Sequence, residues 1–255
     1  GTMSGMDISK EKLAAREKLS STMLCHIGST ILPGMYKKNG LDFLVMDLEH
    51  GSFYPENIGD FVQMCHQVDL PVITRVQDCE YHCISKPLDM GADGVLIPRT
   101  ETMEQVETAI SSMRFYPLGH KGVGGRGLLR PGEDIYDFNK NRLLFLQIES
   151  EQGVSLLDEI LTKYGDQVAG LIIGPCDMAV SMGCGLDLTC DRMMEQIRKT
   201  ISICQKHNKS IGMFMDDETV LKKWYDEGMN IFWIGTEITM LQQTVKLACD
   251  TVKAL

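Results

Sequence analysis

No apolar run in this sequence is long enough to span a bilayer, which argues against a membrane-spanning helix. Basic runs are missing as well. Twenty-five Lys and Arg face 35 Asp and Glu, for a formal net charge of −10. That balance argues against nucleic acid or an anionic membrane as a partner. The opening residues carry no secretory pattern, and GTMSGM reads as an expression remnant outside the folded unit. Nine cysteines are present, but an odd count without regular spacing does not make a disulfide framework. They read as reduced, mostly buried thiols of a cytoplasmic protein. One local cluster, Cys79, His82 and Cys83 of CEYHC, lacks the second ligand pair of a finger-like zinc site. It falls in an amphipathic helical pattern, so packing is the favoured reading.

What the sequence does contain is alternation. Short β-rich runs are expected at 23–28, 42–49, 71–76, 93–98, 142–149, 168–174, 210–215 and 230–235. Helical patterns are expected near 31–39, 55–68, 79–90, 101–113, 151–164, 191–207, 217–227 and 237–253. Continuous apolar runs mean strands covered on both faces, as in a parallel sheet. Eight βα units predict an α/β fold of the (β/α)₈ TIM-barrel type, a single domain over 7–255 with a helix near 7–20 before it. A doubly wound open sheet is the alternative. The stretch 114–140 is expected to be irregular. Its GVGGRG has GxGxxG spacing at Gly122, Gly124 and Gly127, but no strand precedes it, so the dinucleotide reading fails. A loop approaching a ligand through backbone N–H groups is the better expectation.

In such a barrel the chemistry sits where strands end. Those ends read Asp47, Glu49 and His50; Arg75; Pro98 and Arg99; Gln147 and Glu149; Asp177; Asp216; and Thr236 with Glu237. Glu149 and Asp177 end consecutive strands about 4.8 Å apart. Two carboxylates that close repel unless a cation or proton lies between them, and a hard divalent ion fits. The competing reading makes each carboxylate the cap of its following helix, and spacing alone leaves both open. Arg75 is either an anion clamp or the ion-pair partner of Glu149 or Asp47. His50 is a candidate general base with Asp47 or Asp89 beside it.

Taken in order, DFLVMDLEHG, PVITRV, PLDMGADGVLIPRTET, RFYPLGHKGVGGRG, LQIESEQG and GLIIGPCDMAVSMG resemble the HpcH/HpaI family of class II pyruvate-type aldolases. The resemblance implies a phosphoenolpyruvate/pyruvate-type barrel and a divalent-metal-dependent carbon–carbon lyase. Such an enzyme cleaves a 4-hydroxy-2-oxo acid to pyruvate, or a related 2-oxo acid, and an aldehyde. It implies Glu149 and Asp177 as ligands of Mg²⁺, Mn²⁺ or Co²⁺, and His50 as base with Asp47 and Asp89 orienting it. Arg75 would stabilise the enolate, Gln147 would bind substrate, and Gly174, Pro175 and Cys176 would line the carboxylate pocket. It also implies a homo-oligomer, a hexamer built from dimers, with the last helix in the interface.

The departures fall on one half of the site. Met23, Leu24 and Cys25 stand where the family often has a tryptophan, and Lys121 stands where many relatives have arginine. Cys176 replaces a common alanine and Glu237 a common aspartate. No lysine lies at an expected strand end, which argues against Schiff-base chemistry. A malyl- or citramalyl-CoA-type lyase is the competing enzyme reading, to be recognised by a basic surface for the nucleotide. A non-catalytic barrel that binds a metal–oxo-acid complex is the competing reading outside enzymes.

Overall fold

The computed structural model describes residues 5–255, with the backbone alone described at 5–9 and 126–128. Eight parallel strands close into a barrel in chain order. They are β1 (Leu19–Leu24), β2 (Phe43–Asp47), β3 (Val72–Arg75), β4 (Gly94–Ile97), β5 (Leu143–Ile148), β6 (Gly170–Ile173), β7 (Ser210–Met215) and β8 (Ile231–Thr236). The open-sheet alternative is therefore excluded. Alternate residues divide two cores. Phe43, Val45, Ile73, Phe145, Ile172 and Trp233 fill the barrel interior, with Phe43 and Phe145 stacked at 6.0 Å. Their neighbours, including Leu144, Leu146, Leu171 and Met213, face the surrounding helices. Burial on both faces is why the strands read as unbroken apolar runs.

The helices are α1 (Gly5–Ala14), α2 (Leu32–Lys38), α3 (Gly59–Gln67), α4 (Tyr81–Asp89), α5 (Met103–Met113), α6 (Ile135–Asn141), α7 (Glu151–Tyr164), α8 (Pro175–Ser181), α9 (Asp191–Lys206), α10 (Leu221–Asp226) and α11 (Glu237–Lys253). Three expectations shift. The first helix covers Gly5–Ala14 rather than 7–20, because the chain turns at Arg16 (φ 52°) and enters the barrel at Leu19. The first strand is thus 19–24, not 23–28. Its Ser21 and Thr22 hydroxyls donate to the carbonyls of Phe43 and Gly235, so a polar-looking segment is satisfied inside the sheet. The stretch 114–140 is not wholly irregular: a 3-10 turn covers Val123–Leu128, and α6 is capped by Asp134, which accepts from the amides of Tyr136 and Asp137.

Of the opening GTMSGM, residues 1–4 lie outside the described residues, and Gly5 and Met6 begin α1. No helix among the described residues is long and apolar enough to cross a membrane. All nine cysteines are free thiols.

Candidate active site

Register sets the site. Pairing of β2 with β3 places Asp47 beside Arg75, and pairing of β5 with β6 places Ile148 beside Ile173, so Glu149 and Gly174 emerge side by side at the rim. Gly174 donates its amide to the Ile148 carbonyl at 3.0 Å. A Cβ on Gly174 would lie 2.4 Å from Glu149 Oε1, so only glycine leaves room for that carboxylate. The capping reading fails for both acids. Ser150 caps α7 by accepting from Gly153 N, and α8 starts at Gly174–Pro175 with no side-chain cap bond. Glu149 and Asp177 are left free of that duty.

A cavity of about 180 Å³ opens at this rim. His50, Arg75, Gln147, Glu149, Gly174, Pro175, Cys176 and Asp177 line it, together with Met23, Phe214 and Trp233. Glu149 is 5% exposed, whereas Asp177 stands open to solvent. Burial raises the Glu149 pKa to about 7 against the pull of the Arg99 amide, and the neighbouring Asp177 carboxylate adds to the rise through its charge and a hydrogen bond. Two acids sharing a hydrogen bond require a proton or a cation between them. Their all-oxygen donor set suits a hard divalent ion. The residues present therefore fit a metal of that kind.

Arg75 is 8% exposed and held by a two-pronged pair with Asp47, Nε to Oδ1 at 3.0 Å and Nη2 to Oδ2 at 2.8 Å. Burial acts to lower its pKa, but the Asp47 bond and the charges of Asp47, Glu49 and Glu149 outweigh it and raise it. Nη1 reaches toward Gln147 Oε1 at 3.5 Å. Burial likewise opposes ionisation of Asp47, and Arg75 together with the amides of Glu49 and His50 holds its pKa down. The guanidinium is locked in plane and aimed at the cavity.

Two expected orienting acids do not meet the His50 ring. The Asp47 carboxylate is spent on Arg75 and on the Glu49 and His50 amides. Asp89 ends α4 and pairs with Lys121, packed against Gly125 of the Gly-rich segment. Glu49 is the acid beside the ring: its Oε1 lies 3.3 Å from His50 Nε2, and the imidazole is largely exposed. Glu49 also meets Arg75 Nε at 3.6 Å and Arg99 Nη1 at 3.0 Å. Being next to the His in sequence, it was visible among the strand-end residues; its geometric role was not. Arg99 also reaches the site. Its backbone amide donates to Glu149 Oε2 at 2.7 Å from a left-handed conformation, φ 49°. A side chain there costs about 1 kcal/mol or more, strain of the kind kept at functional sites.

The departures acquire physical roles. Trp233 on β8 packs edge-on to Phe214 at 5.8 Å and lines the cavity beside Met23. Glu237 is buried, and its carboxylate accepts from the amides of Cys25 and His26, tying α11 to the end of β1. Burial pushes the Cys25 thiol up to about 12, with Asp47 and Glu237 adding to the rise, so it is no nucleophile at neutral pH. At the CEYHC segment, Cys79 donates to the Gln105 carbonyl, while Glu80, His82 and Cys83 offer ligand atoms within 4.8 Å of one another.

Known proteins similar to this chain point to one family. The family model for HpcH/HpaI aldolase/citrate lyase matches residues 31–243. A hydroxypyruvate/pyruvate aldolase from Roseovarius nubinhibens is 30% identical over 213 residues, 81% of this chain and 82% of the relative. A 5-keto-4-deoxy-D-glucarate aldolase from Escherichia coli is 29% identical over 222 residues, 84% of each chain. In three dimensions, an HpcH/HpaI aldolase from Desulfitobacterium hafniense superposes with a TM-score of 0.89 at 23% identity, covering 96% of both chains. Aldolases of this kind are generally divalent-metal dependent. The chain belongs to the HpcH/HpaI aldolase/citrate lyase family and is a carbon–carbon lyase of the aldolase type.

Proposed function

We propose that the substrate is a 4-hydroxy-2-oxo acid, cleaved reversibly to pyruvate or a related 2-oxo acid and an aldehyde. The observation that carries this reading is the convergence of Glu149, Asp177, Arg75, Gln147 and His50 on one small cavity. The names of the two aldolase relatives support it. Glu149 and Asp177 would hold Mg²⁺, Mn²⁺ or Co²⁺. When bound, the ion supplies Lewis-acid polarisation of the substrate's keto group.

The protein's own groups do the rest. His50 accepts the proton of the 4-hydroxyl as the C3–C4 bond breaks, its ring oriented by Glu49. The bonding pair passes into the 2-oxo acid fragment as an enolate. Arg75, already fixed by Asp47, faces the negative charge that develops on the enolate oxygen. Gln147 contacts the bound 2-oxo acid, and Gly174, Pro175 and Cys176 line its carboxylate. Met23, Phe214 and Trp233 border the remaining wall, where the aldehyde fragment leaves.

The test is oxaloacetate decarboxylation, which forms the same enolate with no knowledge of the aldehyde. Activity should vanish in EDTA and return with Mn²⁺. Activity unaffected by EDTA would overturn the metal assignment.

Assembly belongs to the same reading. On α11, Leu241, Val245, Leu247 and Val252 are each more than half exposed, so this helix does not pack on its own barrel as an ordinary last helix does. We infer a homo-oligomer, a hexamer built from dimers, with α11 in the interface. Light scattering that returns 28.5 kDa at micromolar concentration would overturn it.

A further inference from the structure

The floor of the barrel, opposite the catalytic rim, holds a second cavity that the aldol chemistry does not use. It measures about 210 Å³, about seven times the ~30 Å³ that one water occupies in the liquid. The end of α1, the start of β5 and the turns before β6 and β7 border it, and it opens to solvent. Lys10, Arg114, Lys140, Arg142 and Lys209 line it. Among the described lining residues, Asp166 is the one carboxylate. In a chain of net charge −10 this is a local reversal of sign.

The cations are poorly compensated. Arg114 is 4% exposed, and its hydrogen bonds go to uncharged oxygens: Gln167 Oε1 at 3.1 Å, the Arg142 carbonyl at 2.6 Å and the Gln167 carbonyl at 3.4 Å. Burial, reinforced by the charge of Arg142, pulls its pKa down to about 10. Arg142 is 2% exposed; Glu133 takes its two Nη groups at 2.9 Å each, but its buried Nε has no partner. Half-buried Lys209 bonds the Val168 carbonyl at 2.9 Å, and Lys10 bonds the Lys140 carbonyl at 2.7 Å. Glu133 pairs with Arg142, and the charge of Asp166 acts on Arg114 and Lys209, so five cations face two carboxylates. Buried charge without a counter-charge is costly, and an anion entering the cavity would remove that cost.

We propose that this floor cavity binds a small phosphate-type dianion, either free phosphate or the phosphoryl group of a small metabolite. Guanidinium forks with ammonium point charges around them suit tetrahedral oxyanions. The volume leaves room beyond the phosphoryl group itself.

The test is calorimetry with inorganic phosphate and, separately, glycerol phosphate, at constant ionic strength in chloride with EDTA present. Saturable binding is expected. Glu149→Gln should leave it unchanged, because the rim site lies at the other end of β5. Combined Lys140→Met and Lys209→Met should weaken it by about 10-fold or more. Thermal melts without phosphate check that the double variant folds. If it does not, Lys140→Met alone, at an exposed position, should still weaken binding several-fold. Tighter binding of the ester would identify a phosphorylated metabolite, and tighter binding of the free ion would identify phosphate. Absence of saturable binding stronger than about 10 mM for either probe would overturn the proposal. Undiminished affinity in every lysine variant that folds would do the same.

Discussion

At one corner of the rim, between β2 and β3, the acid Asp47 is buried against Arg75 and its charge is cancelled within the protein. Across the cavity, between β5 and β6, Glu149 lies beside the Asp177 carboxylate, which raises its pKa, and neither acid has an ion-pair partner among the described residues; Arg75 acts on Glu149 only through its charge. Similar acids at similar strand ends thus have opposite electrostatic fates. The first corner is complete and serves as a rigid donor to whatever enters. The second is left with negative charge that something from outside must balance. A site that must both grip a cation and stabilise an anion needs this asymmetry, because a neutralised Glu149 would not hold metal and an unpaired Arg75 would not hold its aim.

The incomplete corner is the place to break the contrast first. Glu149→Gln should reduce Mn²⁺-supported decarboxylation by about 10³-fold or more, since a Lewis acid contributes several kcal/mol. Calorimetry should show the Mn²⁺ affinity lost with it. Unchanged affinity would remove Glu149 from the metal site.

Next come the two groups that act on the substrate. His50→Ala should slow retro-aldol cleavage by roughly 10²–10⁴-fold while sparing most oxaloacetate decarboxylation, which has no hydroxyl proton to remove. Arg75→Ala should depress both reactions by roughly 10²-fold, because both pass through the enolate. Equal loss of both reactions in the His50 variant, with metal still bound, would reassign His50 to enolate protonation.

Stability measurements sharpen the comparison further. Asp47→Asn leaves buried Arg75 without its two-pronged counter-charge, with Glu49 at 3.6 Å as the nearest remaining acid, and should cost about 3 kcal/mol in urea denaturation. Glu149→Gln in EDTA should cost little, because it removes repulsion from Asp177 while the amide oxygen can still accept from the Arg99 N–H. If the two variants lost equal stability without metal, the asymmetry between the corners would be disproved.

The smallest effect is one of pH, at a third, internally balanced acid. Burial opposes ionisation of Glu133, yet bonds from Arg142, Asn141 and the Arg130 amide lower its pKa from 4.5 to about 2. A depressed folded pKa means stabilisation that is full above about 4.5 and lost as pH falls toward 2. Glu133→Gln should therefore cost about 1–3 kcal/mol at pH 7 and progressively less below pH 4.5, as seen in urea midpoints.

Much of this fold is legible in the sequence. Seven of the eight strands matched their apolar runs to within a residue or two, because burial on both faces leaves nothing else for such runs to do. β1 was displaced because its Ser20, Ser21 and Thr22 look like loop until the neighbouring strands supply acceptors. α6 was hidden behind a Gly-rich stretch, although Asp134 and Asp137 carry a capping signal. At the rim, the residue types were readable because charge is expensive at a strand end unless it works there. Their partnerships were not. Asp89 looked close to His50 and instead meets Lys121; Glu49 looked incidental and touches the ring.

By itself, then, the sequence determined the alternation of strands and helices, the identity of the ionisable groups at the strand ends, and through its ordered motifs the family. Those follow from periodicity and residue chemistry, which are local. The tertiary structure alone decided which acid pairs with which base, that Gly174 leaves room for Glu149, that Arg99 grips it from a strained backbone, and that basic residues from α1, α6 and the turns after α5 and before β5 and β7 line a cavity on the floor. Those depend on register and barrel closure, which bring together residues from 25 positions apart (Glu149 and Gly174) to 199 (Lys10 and Lys209) and which no local pattern encodes.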